Sequence, residues 1–435
     1  MKVNKGILIL TFSTIFLLKP LESQWVNMPT GIVFTIFSMS AIDDNIIWAC
    51  SSGPNVIRTT DGGNTWINLG TNIPVNGVET CIYAFDVNSA IFSCYTGNPT
   101  NAFCYKTTNA GANWIQVFTQ APGFITAFAF KNQTQGFMLG WPVGGRWSLW
   151  KTSNAGNNWD STGLFIPESN PNYWSFENAI IYNGSNLWFG ARGRGVYYST
   201  NDGNNWTLSD LTSGGFPYPS ALYFETPQTG YTSAQLNLVK STNGGVNWTV
   251  LPGTTSPENV TRGVFSQNNE IWFVRDLDPN IYYSSNSGAN WITQYTNQSG
   301  TGYKYLTRAR NGSTLWACTI AGEVQKYVLP PNGISNQSNN VPSGYKLFQN
   351  YPNPFNPVTK IRFEIPSDVK REMSNVKIIV YDLPGHEVAT LVNENLHPGI
   401  YNATWNGSNY SSGLYFYRLV VDGKNIATKK MILVK

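Results

Sequence analysis

Six copies of one eight-residue pattern constrain the fold of this chain more than any other feature. The copies are Thr59–Trp66, Thr107–Trp114, Thr152–Trp159, Ser199–Trp206, Ser241–Trp248 and Ser284–Trp291. Each copy, called an octet below, begins with Thr or Ser and has Asp or Asn third, Gly fifth and Trp eighth. Successive tryptophans lie 48, 45, 47, 42 and 43 residues apart. A period of about 40–50 residues is typical of a four-stranded sheet repeated around a ring, so we predict an all-β fold.

The residue types of the octet are those of a tight turn between strands. Asp or Asn at the third position accepts hydrogen bonds from backbone amides just ahead, and Gly at the fifth permits a positive φ. Those third-position residues are Asp61, Asn109, Asn154, Asn201, Asn243 and Asn286. The eighth-position residues, which we expect to bury apolar area between sheets, are Trp66, Trp114, Trp159, Trp206, Trp248 and Trp291. We predict that each octet joins the third and fourth strands of its sheet and has a structural role.

These octets resemble the Asp box, also called the BNR repeat, and they cover most of residues 25–330. Families built from this repeat include sialidases, sortilin-type receptors, xyloglucan-degrading hydrolases and photosystem II assembly-factor-like proteins. The resemblance implies a β-propeller with the Asp boxes at the periphery of the blades, away from the ligand-binding face. It does not imply one chemistry, because the same fold carries several functions.

A second pattern, in which a strand and a polar turn precede an aromatic strand, lies upstream of the octets, as in Asn45–Cys50. It recurs at Ser313–Cys318, where no octet follows. The segment Gln24–Met28 resembles a strand that follows an octet. We therefore predict a seven-bladed β-propeller over residues 24–328, in which Gln24–Met28 pairs beside Glu323–Tyr327 and completes the last blade.

The composition changes after residue 328. Residues 329–343 are polar and Pro-rich and predict a linker, and the alternating strands of residues 344–435 predict a small β-sandwich. This segment resembles the type A sorting domain of type IX secretion. The resemblance rests on Leu347–Pro357, Val380–Asp382, Ser412–Tyr415 and Lys429–Lys435. It implies that the secretion machinery recognises residues 345–435, removes them and attaches the rest at the cell surface; an unrelated adhesion module is the alternative.

The N-terminus and the charge distribution bear on localisation and partners. Residues 1–23 predict a secretory signal peptide, with Lys2 and Lys5 before an apolar run. No later segment is apolar over about 18 residues, so we expect no transmembrane segment and export across both membranes to the cell surface or beyond. Residues 24–330 carry 14 basic and 16 acidic residues, and this near-neutral balance disfavours nucleic acid as a partner.

Histidine usage limits the catalytic options. The two histidines, His386 and His397, both lie in the C-terminal segment, so we predict no catalytic residue, metal or cofactor in the propeller. The alternative is a carboxylate-dependent glycoside hydrolase, xyloglucanase- or sialidase-like, with two carboxyl groups in one cleft. Its candidate carboxylates are Glu79, Glu168, Glu258, Asp276 and Asp278. Val33–Phe37 stands where sialidases have an Arg-Ile-Pro signature, which argues against that class.

The function predicted first is a non-catalytic binding or structural module for an unidentified glycan or protein. The candidate binding residues are Trp141, Arg146, Trp147, Tyr173, Trp174, Arg192, Arg194, Arg275, Asp276 and Asp278. Aromatic rings anchor sugars or proteins, and arginines bind carboxylates. The alternatives are packing between blades for Trp147 and Trp174 and a solvated turn for the two aspartates. We predict that the five cysteines are small buried residues, and their pairing stays open; they are Cys50, Cys81, Cys94, Cys104 and Cys318.

Overall fold

The computed structural model is an all-β structure. It describes residues 25–434 except 54, 98–99, 169, 171, 212–216, 257, 268, 329–334, 339–341, 367–373, 397 and 408–409. The predicted signal peptide, most of the predicted linker and His397 lie outside the described residues. Within the described part of the chain, the one helical element is a 3-10 turn at Gly70–Asn72.

Up to residue 328 the described strands form seven antiparallel sheets, numbered here in chain order. The strand β1 (Val26–Met28) comes first and belongs to sheet 7. Sheet 1 contains β2 (Ile36–Ala41), β3 (Ile47–Ser51), β4 (Asn55–Thr59) and β5 (Ile67–Asn68). Sheet 2 contains β6 (Val78–Ala84), β7 (Ala90–Thr96), β8 (Asn101–Thr107) and β9 (Ile115–Gln120). Sheet 3 contains β10 (Ile125–Phe130), β11 (Gly136–Val143) and β12 (Arg146–Thr152).

Sheets 4 to 7 repeat the same up-and-down order. Sheet 4 contains β13 (Ile180–Asn183), β14 (Asn186–Ala191), β15 (Gly195–Ser199) and β16 (Thr207–Asp210). Sheet 5 contains β17 (Leu222–Phe224), β18 (Gly230–Ala234), β19 (Asn237–Ser241) and β20 (Thr249–Val250). Sheet 6 contains β21 (Thr261–Gln267), β22 (Glu270–Arg275), β23 (Asn280–Ser284) and β24 (Ile292–Thr296). Sheet 7 contains β25 (Tyr303–Arg308), β26 (Thr314–Thr319), β27 (Val324–Val328) and β1.

The order in space follows the order in the chain. The first strands of consecutive sheets lie beside one another, and β25 of sheet 7 also lies beside β2 of sheet 1. The predicted pairing of the N-terminal strand is confirmed, because Val26 and Met28 of β1 oppose Lys326 and Val324 of β27. Sheet 3 differs from the others: after its octet, the chain pairs with β12 only through isolated bridges.

The octets lie at the ends of the third strands, and in sheets 1, 2, 4, 5 and 6 they lead into the fourth, as predicted. In the first octet the hydroxyl of Thr59 accepts a hydrogen bond from the N–H of Gly63 (3.0 Å) and donates one to Asp61 Oδ1 (2.8 Å). The same oxygen of Asp61 accepts from the N–H of Thr65 (2.9 Å). All five other octets repeat these three hydrogen bonds with Asn in place of Asp61.

The first octet differs from the others at two positions at once. It has Thr65 where the other five have Asn, and Thr65 Oγ1 donates to the second carboxylate oxygen of Asp61 at 2.6 Å. The hydrogen bonds from Thr65 and Thr59 lower the pKa of Asp61 to about 2. The amide side chain of Asn has one oxygen and so needs no second donor. This explains why Thr at the seventh position accompanies Asp at the third position of the first octet.

The glycine of the octet is required by space as well as by φ. Gly203 has φ +75°, and a Cβ built on it would lie 2.5 Å from Phe137 of the neighbouring sheet. The fourth octet residue also has a positive φ, as at Ala110 (61°) and Asp202 (56°), which the sequence analysis did not predict. Two successive left-handed residues therefore turn the chain.

The octet tryptophans are less buried than expected. Only Trp114, 5% exposed, is in the core, and the other five are half-buried. The largest buried rings of the sheets come instead from the second strands and from β12. They are Trp48, Trp147, Trp188, Trp272 and Trp316. Inter-sheet packing therefore depends mainly on the aromatic strand upstream of each octet.

The described residues between 335 and 433 form two further antiparallel sheets. Their strands are β28 (Ser335–Ser338), β29 (Lys346–Leu347), β30 (Val358–Ile365), β31 (Ser374–Tyr381), β32 (Glu387–Leu396), β33 (Gly399–Asn406), β34 (Gly413–Val421) and β35 (Lys424–Leu433). One sheet has the order β28-β33-β30-β29 and the other β32-β31-β34-β35. Side chains from both sheets, among them Trp405 and Tyr417, share one hydrophobic core.

The interiors of sheets 1, 2 and 7 hold free thiols, and sheet 2 also holds a buried carboxyl group. All five cysteines are buried and unpaired, and burial raises the pKa of Cys81 and of Cys94 to about 12. Glu79 opposes Cys94 in the ladder of β6 and β7 and is fully buried, and no described residue forms a hydrogen bond with either of its carboxyl oxygens. Desolvation raises the pKa of Glu79 to about 8, because a buried carboxylate without a partner is costly.

The unequal burial of two octet tryptophans gives a matched test of the octet's role in stability. Trp114→Ala should cost about 3–5 kcal/mol of unfolding free energy, as for other buried aromatic residues. Trp206 is half-buried against Phe189 at 5.2 Å, so Trp206→Ala should cost about 2 kcal/mol. Differential scanning calorimetry should show the larger fall in Tm for Trp114→Ala. Equal falls would show that burial does not determine the contribution of these rings.

Glu79 predicts a pH-dependent stability. Its folded pKa of about 8 exceeds the usual 4.5, so the folded protein keeps a proton that the unfolded chain releases, and stability falls as pH rises between those values. Glu79→Gln removes this loss. The variant's advantage in Tm over the wild type should therefore grow from pH 4.5 to pH 8 and then level off. Glu258→Gln, at an exposed position, is the control and should show no such trend; a constant difference for Glu79→Gln would disprove the assignment.

Candidate binding surface

The alternating strand directions define two faces of the seven sheets. In each sheet, the turn between the second and third strands lies at the same end as the segment that leads into the first strand. We call this end the loop face. The octets follow the third strands and so lie at the opposite end, which we call the Asp-box face.

A continuous row of aromatic rings follows the loop face from sheet 2 to sheet 5, and we call it the aromatic row. It begins with Tyr95, whose ring centre lies 4.6 Å from that of Phe124. Phe124 in turn stacks on Trp141, with 4.2 Å between the ring centres. Trp141 lies 5.8 Å from Trp174, in the segment that leads into β13. The indole N–H of Trp141 donates to the carbonyl of Ser175 at 3.1 Å, which fixes the two segments together.

Arg192 connects the row to sheet 5. Its guanidinium lies 3.6 Å from the ring centre of Trp174 and 5.0 Å from that of Tyr218. It donates to the carbonyl of Asn172 at 2.7 Å and to the Tyr218 hydroxyl at 3.3 Å. Because the cation is held by rings and by hydrogen bonds, its position is set before any ligand arrives.

Two ion pairs lie beside the row. Arg194 pairs with the buried Glu168 at 3.0 Å, and its guanidinium lies 4.8 Å from the ring of Tyr173. Arg262 pairs with Asp276 at 2.9 Å, and its guanidinium lies 5.2 Å from the ring centre of Phe176, which is 6.2 Å from that of Tyr218. Six of the ten predicted residues therefore lie in or beside the aromatic row. They are Trp141, Tyr173, Trp174, Arg192, Arg194 and Asp276.

The structure places three of the predicted binding residues in the interior, which corrects the sequence-based expectation. Trp147 is fully buried and packs on Phe189 at 5.3 Å, so it belongs to the packing between sheets 3 and 4. Arg275 is 6% exposed, and it donates to the carbonyl of Thr254. Burial lowers the pKa of Arg275. Asp278 is 8% exposed and accepts hydrogen bonds from Asn280 and Tyr282.

The remaining predicted residue, Arg146, is half-buried and lies apart from the row. It donates to the carbonyl of Leu164 at 3.4 Å and to the Ser161 hydroxyl at 3.1 Å, in the segment between sheets 3 and 4. Sequence reasoning missed Tyr95, Phe124 and Tyr218. Each lies where a second strand ends or a first strand is about to begin, so their shared position in the repeat was an available signal.

Four of the five candidate carboxylates are buried or already form ion pairs or hydrogen bonds within the protein. Glu79 has no access to solvent, Glu168 and Asp276 form ion pairs, and Asp278 accepts two hydrogen bonds. Glu258 alone is exposed. Within the described ranges, no group of three or more His, Cys, Asp or Glu is placed to hold a metal ion. No helix in that part of the chain has the length and apolar character to cross a membrane.

Comparison with protein families identifies the C-terminal segment. Residues 349–435 match the model described as the secretion system C-terminal sorting domain. Among curated proteins, the photosystem II assembly lipoprotein Ycf48 of Synechococcus sp. (strain CC9902) is 23% identical over 225 residues. The match covers 51% of this chain and 63% of that protein, so the chain spans less than two thirds of the relative's length.

Solved structures show the fold of the remainder. The structure of YCF48 bound to D1 peptide is 14% identical with a TM-score of 0.55, and the match covers 72% of this chain and 97% of that one. YCF48 from Cyanidioschyzon merolae is 14% identical with a TM-score of 0.54, and the match covers 70% and 98%. The extracellular domain of the one component system BT4673 from B. thetaiotaomicron is 11% identical with a TM-score of 0.50, and the match covers 95% and 59%.

At these identities the structural likeness shows the fold alone, which is that of a β-propeller. The sorting domain adds the route of export and agrees with the resemblance found in the sequence. The described residues up to 328 therefore have a β-propeller fold similar to that of Ycf48, and residues 349–435 match a C-terminal sorting domain that indicates export to the cell surface or the extracellular space.

Proposed function

We propose that the seven sheets are the blades of a seven-bladed propeller spanning residues 24–328, with β1 as the outer strand of the last blade. The consecutive contacts of the first strands and the pairing of β1 with β27 support this arrangement. Residues 1–23 then act as the signal peptide, 329–343 as the linker and 344–435 as a β-sandwich that the secretion machinery recognises. The shared core of the two C-terminal sheets supports the sandwich.

The function that the geometry supports best is non-catalytic binding of a protein ligand on the loop face. The aromatic row, with Arg192 fixed within it, carries this proposal, since Trp, Tyr and Arg dominate the binding energy of protein interfaces. Exposed apolar side chains lie on the same face on the other side of the ring. They are Val33 (77% exposed), Phe34 (54%) and Leu277 (71%). Apolar side chains exposed on one face favour a macromolecular partner.

The same residues are less suited to binding a glycan. A sugar ring stacks on a free aromatic face, yet one face of Trp141 is covered by Phe124 and one face of Trp174 by Arg192. The row therefore presents mainly ring edges and a guanidinium to a ligand, and fewer uncovered ring faces. The hydrolase alternative also lacks support, because it needs two available carboxyl groups in one cleft and four of the five candidates are engaged or buried.

A similar protein provides a precedent for a protein-derived ligand. The structure of YCF48 bound to D1 peptide has a propeller of related fold with a peptide as ligand. We propose the same class of ligand, a peptide segment of a protein, for this chain. The sequence of that segment is not implied by a likeness at 14% identity.

Binding on the loop face can be tested with a displayed random peptide library and a glycan array, both probed with the full chain. We expect enriched peptides, and we expect Trp174→Ala to weaken the best of them at least about tenfold, as for an interface hot spot. Trp206→Ala, on the Asp-box face and also half-buried, is the matched control and should leave affinity unchanged. Selective binding of glycans, or peptide binding that survives Trp174→Ala, would refute this proposal.

Export can be tested by moving the sorting domain. A chain without residues 345–435 should remain in the periplasm of a host with type IX secretion, because the matched family model lies within that segment. The same residues fused to a periplasmic reporter should carry it to the surface. Protease treatment of intact cells, followed by detection of each protein, gives the result. Surface display of the truncated chain would contradict the assignment.

A further inference from the structure

The first strands of the seven sheets surround a cavity of about 350 Å³. Every one of the sheets contributes to its lining, for example Ile82 from sheet 2, Phe128 from sheet 3 and Val264 from sheet 6. This volume lies at the small end of the range for sites that hold small molecules, which is about 300–1,000 Å³. Among the described residues, no predicted binding residue and no ring of the aromatic row lines the cavity. Arg262 links the two, because it lines the cavity and pairs with Asp276 beside the row.

The charge of the lining is one-sided. It includes Arg262, Arg308 and Arg310, and among its described residues there is no aspartate or glutamate. Arg262 is neutralised by Asp276. Neither Arg308 nor Arg310 forms an ion pair with a carboxylate in the described part of the chain. Two cations therefore face one small space with no negative partner, an arrangement that favours an anion.

Both guanidinium groups are held in place by the protein. Arg310 donates to the Ser40 hydroxyl at 3.0 Å and to the carbonyl of Ala84, and it lies 4.4 Å from the ring centre of Tyr83. Arg308 donates to the carbonyl of Gly312 at 3.0 Å, while its buried Nε has no hydrogen-bond partner among the residues that the structure describes. Fixed guanidinium groups with remaining N–H donors suit the two oxygens of a carboxylate.

The rest of the wall combines apolar and aromatic side chains with the hydroxyl or amide groups of Ser40, Asn178, Ser220 and Thr307. Ile82, Phe128, Val264 and Leu306 contribute hydrocarbon, and Tyr305 contributes a ring. Carboxylates follow several first strands at this end, among them Asp44 after β2, Asp86 after β6 and Glu225 after β17, and none of them is part of the lining. Asp44 accepts a hydrogen bond from the N–H of Ser313 at 2.7 Å, and Glu225 accepts one from Ser266 at 2.9 Å. A ligand that fits these walls has an apolar or aromatic body as well as its negative group.

The two ends of the cavity differ. Towards the loop face, Asn178 reaches from the segment before β13 to sheet 1, where its amide donates to the carbonyl of Phe37 at 2.9 Å. Beside it, Glu177 pairs with Lys304 of sheet 7 at 3.4 Å. Arg308 and Arg310 lie at the other end of β25, and Arg310 is exposed. The accessible end therefore opens on the Asp-box face.

We propose that the central cavity binds a small carboxylate with an apolar or aromatic body, and that Arg308 and Arg310 hold its carboxylate. The ligand enters from the Asp-box face and buries its body against the first strands. A free acid and the C-terminal end of a slender chain present the same chemistry to this site. The inference is independent of the protein ligand proposed for the loop face.

Isothermal titration of the full chain with benzoate, N-acetylphenylalanine and N-acetylphenylalanine amide tests the site. Benzoate represents a free acid and N-acetylphenylalanine a chain end; the amide is the neutral match of the latter. At least one carboxylate should bind, and the amide should bind at least about tenfold more weakly than its acid, because a charged hydrogen bond is lost. Failure of both carboxylates to bind, or equal affinity of acid and amide, overturns the proposal.

Variants locate the binding. Arg308→Gln and Arg310→Gln should each weaken the bound carboxylate at least about tenfold, while Arg418→Gln in the C-terminal domain should not. Arg308→Lys and Arg310→Lys keep the positive charge but lose the planar fork of donors, so each should weaken the bound carboxylate less than the matching glutamine substitution, and they provide a test if a glutamine variant does not fold. Unchanged affinity in all four arginine variants disproves the site. Peptide binding on the loop face should survive in each of them.

Discussion

The fold depends on one small hydrogen-bonded unit, the Ser or Thr hydroxyl at the start of each octet. That hydroxyl accepts a hydrogen bond from the N–H of the glycine four residues later and donates one to the side chain of the Asp or Asn two residues later. The same Asp or Asn oxygen accepts another hydrogen bond from the backbone N–H of the seventh octet residue. Each turn so made joins strands that cannot bury their apolar faces alone. The aromatic second strands then fill the space between sheets, as Trp48 and Trp188 do. Because this unit is repeated, each sheet packs against the next one in a similar way.

The repeat allowed much of the fold to be predicted, because turn chemistry and strand periodicity are local properties. The octet turns and the pairing of β1 with β27 came from the sequence for that reason. Burial was harder to predict. Trp147 and Arg275 lie on strands, and the sequence does not tell whether a given face of such a strand contacts solvent or another sheet. The direction of a side chain depends on how a sheet packs against the next one, and composition does not contain that information.

The candidate sites depend on contacts between repeats and so were only partly visible. The aromatic row brings together residues from four sheets, and Trp174 was identified from its loop while Tyr95 was not. Arg308 and Arg310 had no distinguishing motif, and their significance follows from the lack of acidic residues among the described lining of the cavity. The two sites lie on opposite faces, so a ligand at one leaves the other accessible.

The pairing of β1 with β27 has a consequence for the order in which the protein can fold. Asn27 and Gln325 are hydrogen-bonded partners separated by 298 positions in the chain. Synthesis proceeds from the N-terminus, so Asn27 exists long before Gln325 and β1 has no strand to pair with until β27 has been made. Completion of sheet 7 therefore comes last and depends on arrival of almost the whole propeller. A chain stalled in transit retains an open sheet edge, which marks it as unfinished to any factor that recognises unpaired strands.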